Sequence, residues 1–175
     1  MEVSDHRDDS GCPEPQVRLG SALESLGFLT MAHILQSVVA LRVIGDDLVP
    51  DEVTALLGTT PTVAVVKGET GKHIVGPKVG DVRVARSGMW TLESSDRKPE
   101  DLNSQIHEIL SRMTDDISVW QRLTKRFRVD LFCGLWLTGS EGGLTLSPQT
   151  LAAVGARGIE LGLCIYGDHE NETSA

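Results

Sequence analysis

Apolar residues alternate with other residues from Phe127 to Thr138, a stretch that reads FRVDLFCGLWLT. This period of two predicts a strand with one face in the core, because successive side chains of a strand point to opposite faces. The residues expected to face the core are Phe127, Val129, Leu131, Cys133, Leu135 and Leu137. The opposite face combines charged residues with large aromatic ones, in the order Arg128, Asp130, Phe132, Gly134 and Trp136.

Shorter apolar runs predict further strands. They are QSVVALRVIG from Gln36, Thr62 to Lys67, Asp81 to Arg86, the following SGMWTL, and the closing ARGIELGLCIY. A Gly- and Pro-rich loop or hairpin, from Gly68 to Gly80, separates two of these runs. In the closing strand we expect Ile159, Leu161, Leu163 and Ile165 to point inward, with Glu160, Cys164 and Tyr166 on the opposite face.

Apolar residues recur at helical spacing in two neighbouring segments. Pro99 is expected to start a helix whose apolar stripe consists of Leu102, Ile106, Ile109, Leu110 and Met113. A second helix is expected to begin near Asp115, with Ile117, Trp120 and Leu123 pointing inward. We expect both helices to pack on the sheet.

Two segments of the chain are similar to each other. LVPDEVTAL at Leu48 to Leu56 and LSPQTLAAV at Leu146 to Val154 share Leu, Pro and Ala at matching offsets. Proline is well placed at the first position of a helix, because its missing N–H would have no partner there. The similarity predicts two copies of a strand–helix–strand unit, with Gly58 ending the first helix and Ser147 capping the second.

Interleaved helices and strands with short connections predict an α+β protein. The expected architecture is a two-layer sandwich, a mostly antiparallel sheet with helices on one face, ferredoxin-like in character. Residues 1–35, which are rich in Asp, Gly, Pro and Ser, are expected to form a mobile or loosely ordered extension. Residues 36–167 are expected to form a single domain, and residues 168–175 an acidic tail.

The formal net charge of −9 comes mostly from the two ends of the chain. Without residues 1–14 and 168–175, 17 acidic residues stand against 15 basic ones. This balance, without a Lys or Arg block, argues against nucleic acid as a partner. No stretch reaches the roughly 20 apolar residues of a membrane helix, so no membrane association is expected. Three cysteines, two of them in apolar strands, favour a reducing cytoplasm.

The sheet face away from the predicted core is the main candidate site. Arg42, Lys67, Asp130 and Glu160 are expected to share it with Phe132, Trp136 and Tyr166. Charged groups beside aromatic side chains are typical of a binding or dimer face. The alternative is structural, in which the loop from Gly68 to Gly80 or the N-terminal extension covers these aromatics.

No catalytic or metal-binding motif is complete. Asp46 and Asp47 form an acidic pair, but neighbouring residues in a turn usually point apart, which favours turn chemistry over a cation site. KGETGK lacks the first Gly and the final Ser or Thr of a phosphate-binding loop. His107-Glu108 would suggest zinc only with a second His at position 111, which is Ser111. We therefore expect no catalytic residue, no metal and no cofactor.

An ordered set of motifs carries a family resemblance. RVIGDDLVPDEVTALLGTTPT, the KG pair at Lys67 and Gly68, GMW ending at Trp90, LSPQTL and IELGLCIY together resemble a bacterial uncharacterised family, domain of unknown function 4279. The similarity covers about Val38 to Tyr166 and implies a single compact α+β domain with no established activity. Turn, cap and packing roles explain most of the matching residues, and Lys67 and Trp90 are the least easily explained.

Three functional hypotheses remain open at the level of the sequence. The first is a non-enzymatic cytoplasmic protein-binding module, of inhibitor or immunity type, that uses the mixed sheet face or the acidic tails. The second is a small-molecule or anion-binding protein or enzyme, in which Arg42, Lys67 and the loop after Lys67 hold the ligand against Trp90 or Trp136. The third is a structural homodimer formed through the sheet face.

Overall fold

The computed structural model of the protein describes residues 34–71, 83–137 and 142–167. Within these residues the elements are β1 (Ile34–Gly45), α1 (Pro50–Leu57), β2 (Val63–Val65), β3 (Thr70–Gly71), β4 (Arg83–Val84), β5 (Gly88–Glu93), α2 (Leu102–Ser111), α3 (Ile117–Arg126), β6 (Arg128–Leu137), α4 (Pro148–Ala156) and β7 (Glu160–Tyr166). β1 begins two residues before its predicted start. The rest of the predicted extension, the acidic tail and most of the predicted loop lie outside the described residues.

Five strands form one sheet in the order β2-β5-β1-β6-β7. Neighbouring strands are antiparallel except β6 and β7, which are parallel. The four described helices contribute to one core on a single face of this sheet. The predicted α+β sandwich with helices on one face is confirmed, while the strand order does not confirm the ferredoxin-like character. β3 and β4 pair separately as a two-stranded sheet.

Both predicted strand–helix–strand units are present, and they differ in the gap between their strands. β6, α4 and β7 form the second unit, in which the two strands are direct neighbours. β1, α1 and β2 form the first, and β5 lies between its strands and pairs antiparallel with both. The first crossover therefore leaves space for one strand, and a later part of the chain fills it.

The ends of α1 and α4 follow the predicted capping chemistry. Pro50 and Pro148 occupy the first turns of the two helices. Gly58 ends α1 in the left-handed conformation, with φ of 77°, and its N–H donates to the Thr54 carbonyl. The Ser147 side chain accepts a hydrogen bond from the Thr150 N–H at the start of α4. Glycine is favoured at such a C-cap because other residues are strained at positive φ.

α2 begins at Leu102, so the prediction that Pro99 starts this helix is wrong. Asp101 is the N-cap, and its carboxylate accepts a hydrogen bond from the Ser104 N–H at 3.0 Å. Hydrogen bonds from Ser104 also lower the pKa of Asp101. The capping carboxylate, rather than the proline, therefore defines the start of the helix.

The core lies between the helices and the odd-numbered residues of β1 and β6, which are neighbours inside the sheet. From β1 it takes Val39, Leu41 and Val43, and from β6 it takes Val129, Leu131 and Cys133. A buried polar link crosses the two layers: the Ser37 hydroxyl donates to Gln105 Oε1 at 2.5 Å. Gln105 Nε2 in turn donates to the carbonyls of Ser37 and Ser95. All hydrogen-bonding groups of the Gln105 amide are thus satisfied inside the protein.

β7 departs from its predicted burial. Ile159 is buried and Leu161 is partly buried, in agreement with the prediction. Leu163 and Ile165 point to the same side but remain 44% and 62% exposed, so the prediction that they are inward is wrong for both. The described core cluster ends at Leu161 along this strand, and the second half of β7 extends beyond it.

Candidate functional site

The sheet face opposite the described helices is called here the open face. Three strands that are neighbours in the sheet, β1, β6 and β7, contribute its residues. These are Gln36, Val38, Ala40, Arg42, Ile44, Arg128, Asp130, Phe132, Gly134, Trp136, Glu160, Gly162, Cys164 and Tyr166. Strand register aligns them in rows across the sheet. One row joins Arg42, Asp130 and Glu160, and another joins Gln36, Trp136 and Tyr166. The open face thus has a charged half and an aromatic half.

The aromatic half is a stacked pair formed by Trp136 and Tyr166. Their ring centroids are 4.9 Å apart with an interplanar angle of 20°, within the range of favourable aromatic stacking. The two residues are nevertheless 36% and 45% exposed. The parallel pairing of β6 with β7 creates the stack, because it places these residues directly opposite each other.

Gly134 allows the Trp136 ring to lie close to the sheet. A Cβ atom at this glycine would be 3.0 Å from Trp136 Cη2 and 3.0 Å from Val38 Cγ2. Contacts this short require the neighbouring side chains to move. Gly162, on the adjacent strand, is different, since a Cβ there would meet only the Leu131 carbonyl oxygen at 3.8 Å.

The charged half is centred on Asp130, whose side chain is only 2% exposed. Arg42 binds this carboxylate in a bidentate manner, with Nε to Oδ1 at 2.7 Å and Nη2 to Oδ2 at 2.9 Å. Arg128 Nη2 lies 3.0 Å from Asp130 Oδ2, and Arg128 Nε lies 3.4 Å from Glu160. Two arginines and two carboxylates therefore balance in charge. Bidentate pairing fixes the orientation of the guanidinium as well as its position.

Phe132 connects the two halves. The Arg42 guanidinium carbon lies 4.8 Å from the centroid of its ring, a cation–π distance. Arg42 is thus held by Asp130 on one side and lies over Phe132 on the other. The sequence prediction that Arg42, Asp130, Phe132, Trp136, Glu160 and Tyr166 share a face agrees with their positions.

Lys67 lies outside this group. It follows β2, and its Nζ is 2.5 Å from Asp46 Oδ2 in the turn after β1. The hydrogen bond from Lys67 is the largest cause that lowers the pKa of Asp46, and a hydrogen bond from the Ser87 hydroxyl adds to it. Asp47 instead binds Arg126. Asp46 and Asp47 therefore point to different partners, as expected for turn residues, and do not converge on one point.

Trp90 lies on the other side of the sheet. It opposes Val43 in the β1–β5 register, so it shares the core face with that residue. It is fully buried, and its indole Nε1 donates to Thr54 Oγ1 of α1 at 3.1 Å. The structure thus separates Lys67 and Trp90 from the other candidate residues. Trp90 instead joins α1 to the sheet.

The sequence did not indicate the stack or the second arginine at Asp130. The stack depends on the adjacency of β6 and β7, which alternation within each strand does not encode, whereas the contact between Arg128 and Asp130 lies within β6. Arg128, two residues before Asp130, was the available signal, since residues two apart in a strand share a face.

The described residues hold no group of three or more His, Cys, Asp or Glu side chains suited to a metal ion. In the same part of the chain, no helix has the length and apolar character needed to span a membrane. The family model described as "Domain of unknown function (DUF4279)" matches residues 35–168. No curated protein and no solved structure showed a significant match to the chain.

Proposed function

The chain belongs to the DUF4279 family, a domain of unknown function, and from its open face we propose that it is a non-enzymatic protein-binding module. The observation that carries the proposal is the stack of Trp136 and Tyr166, whose two rings pack against each other and yet remain substantially exposed. Tryptophan, tyrosine and arginine are the residues most enriched among those that dominate binding energy at protein interfaces. All three residue types occur together on the open face.

The charge pattern favours a protein partner over a small anion. Within the described residues, the two cations of the anion-binding hypothesis are already bound to carboxylates, Arg42 to Asp130 and Lys67 to Asp46. A small anion would have to displace a carboxylate in either position. A protein can instead cover the charged half, in which two arginines balance two carboxylates, and bury the aromatic stack. This binding leaves the ion pairs of Arg42 and Lys67 unchanged.

The overall charge indicates the kind of partner. The chain carries a formal net charge of −9. At low salt its electric field therefore attracts a basic protein and raises the rate at which the two proteins associate. We propose that the partner has a basic surface around an apolar patch, and that binding masks this patch in the manner of an inhibitor or immunity protein. The cytoplasm is the proposed location, since Cys133 and Cys164 are both free thiols.

Affinity capture with matched variants tests this function. The full chain is immobilised, exposed to extract from its native host, and compared with Trp136→Ser and Leu151→Ser. Leu151 is an exposed apolar residue of α4, away from the open face. We expect a stoichiometric basic partner to bind the wild type and Leu151→Ser. Loss of a central aromatic costs about 2 kcal/mol or more, so purified partner should bind Trp136→Ser roughly 30-fold more weakly.

Two glycines provide a finer comparison that keeps every aromatic residue. A methyl group at Gly134 requires Trp136 and Val38 to shift by a few tenths of an ångström, whereas Gly162→Ala adds the same methyl group to the open face without a close contact. We expect weaker partner binding in Gly134→Ala alone. Equal binding by the wild type and Trp136→Ser would refute the proposed site. A phosphate-induced rise in melting temperature that Lys67→Ala abolishes would support the anion-binding alternative instead.

A further inference from the structure

β7 is an edge strand with a free outer side among the described residues. Its pairing with β6 runs without a shift through seven residues, so no bulge bends it away. The strand contains neither lysine nor proline, and its one charged residue is Glu160 at the start. Natural proteins usually protect an exposed edge strand with a β-bulge, a lysine or a proline, because the unpaired backbone groups of an edge can pair with another strand. The opposite edge, β2, has only three residues.

Apart from Glu160, β7 exposes large apolar or aromatic side chains on both faces. Leu163 and Ile165 are exposed on the helix side, and Tyr166 is exposed on the open face. The pattern is also self-complementary about Leu163. In an antiparallel arrangement centred there, Leu163 opposes Leu163 of a second copy, and Leu161 opposes Ile165 of the second copy. Gly162 opposes Cys164 on the other face, so small residues also meet.

The position of Glu160, the charged residue of β7, favours this orientation. Antiparallel pairing about Leu163 places Glu160 opposite Tyr166 of the second copy, whose phenol O–H donates to a carboxylate. The two Glu160 side chains then lie at opposite ends of the pair, separated by roughly 20 Å at about 3.4 Å per residue. A parallel arrangement in register would instead place the two Glu160 carboxylates directly opposite each other, which is unfavourable.

We infer that a second copy of this chain adds to β7 in antiparallel orientation, with a two-fold axis perpendicular to the sheet at Leu163. The two five-stranded sheets then form one continuous sheet. An axis in this direction keeps both helical layers on one side and both open faces on the other. This inference goes beyond the proposed function and does not depend on it. If both hold, the dimer presents two Trp136–Tyr166 stacks on the same face.

Light scattering on the full chain over a range of concentrations tests the dimer. As the concentration is raised to about 100 µM, we expect the measured mass of the wild type to reach that of a dimer, twice 18.9 kDa. Leu163→Lys should give the monomer, because it places two ammonium groups opposite each other. Leu151→Lys is the matched control, since both leucines are exposed, and it should remain dimeric. A wild-type monomer, or a Leu163→Lys variant that remains dimeric with an unchanged melting temperature, would overturn the inference.

A disulfide tests the register. Directly opposite residues of antiparallel strands have Cα atoms about 4.5–5.5 Å apart, within the range that a disulfide spans. Leu163→Cys, in a chain that also carries Cys12→Ser and Cys164→Ser, should form a covalent dimer upon mild oxidation. Leu151→Cys in the same background should not. A dimer that Leu163→Cys fails to cross-link would contradict pairing about this residue.

Discussion

Replacement of Arg42 by methionine should strongly destabilise the protein, because it leaves the buried Asp130 carboxylate without its bidentate partner. Methionine retains an apolar chain over Phe132 but removes both hydrogen bonds to the carboxylate. Asp130 is 2% exposed, so its carboxylate depends on protein partners rather than on water. Breaking a buried ion pair costs about 3–5 kcal/mol. Arg128 still contacts Asp130, so we expect a loss near the lower limit, about 3 kcal/mol of unfolding free energy.

Urea denaturation, followed by tryptophan fluorescence and by circular dichroism, measures this loss. Coincident transitions would justify a two-state analysis. Arg126→Met is the matched control, because Arg126 also pairs with carboxylates, those of Asp47 and Glu52, and also lies over a phenylalanine ring, 4.7 Å from its centroid. Its carboxylate partners are exposed, so the same substitution should cost only a small fraction of the loss at Arg42.

The single variant Asp130→Leu and the double variant Arg42→Met/Asp130→Leu complete a thermodynamic cycle. Replacing a buried ion pair with apolar residues of similar size is often close to neutral. The double variant should therefore recover most of the stability that Arg42→Met loses, even though Arg128 then lacks its Asp130 contact. A loss below about 1 kcal/mol in Arg42→Met, or additive losses in the double variant, would refute the conclusion that Asp130 depends on Arg42.

Two further predictions concern buried groups in the core. Gln105→Ala removes the acceptor of the buried Ser37 hydroxyl and one donor each from the Ser37 and Ser95 carbonyls, so it should cost about 2–3 kcal/mol in urea denaturation, whereas Gln121→Ala, at an exposed site on α3, should have little effect. Burial, followed by the charge of Asp130, raises the pKa of Cys133 to about 12. Iodoacetamide at pH 8 should therefore label the exposed Cys164 but label Cys133 only in urea, as read by mass spectrometry; equal native labelling would contradict this. Since the folded pKa exceeds the ordinary thiol pKa of 9.0, the stability contributed by the neutral thiol is present below pH 9 and is lost as pH rises toward 12.

Local chemistry in the sequence predicted the helix ends of the repeated unit. Pro50 and Gly58 bound α1, and Ser147 with Pro148 begins α4, because each of these effects depends on a few neighbouring residues. The same local reasoning placed the start of α2 too early. Pro99 was a plausible first residue, but the Asp101 carboxylate offered a stronger cap three residues before Ser104.

Strand order was not predictable from periodicity. Alternation assigned the two faces of β6 correctly, since every second residue from Val129 to Leu135 is buried. It could not show that β5 pairs between β1 and β2, a long-range contact that the whole sheet determines. This order places Trp90 against α1 in the core and leaves Lys67 beyond the end of β2. The candidate residues on β1, β6 and β7 therefore share one face of the sheet, whereas Lys67 and Trp90 lie apart from them.

The exposure of β7 also depends on long-range packing. The sequence of this strand has the alternation of a half-buried strand, and α4 covers its first residues. How far α4 extends over β7 depends on the geometry of the connection between them. The alternation of apolar residues in β7 carries no information about that geometry. Leu163 and Ile165 therefore appear as core residues in the sequence and as surface residues in the fold.

Photo-crosslinking in cells of the native host tests most directly whether the open face binds another protein. Phe132→p-benzoylphenylalanine is a conservative change at the centre of this face, and the same residue at position 151 on α4 serves as the control. The expected result is one light-dependent adduct with a different protein at position 132, absent at position 151 and lost when Trp136→Ser is added. No adduct at position 132, or the same adducts at both positions, would contradict binding through the open face.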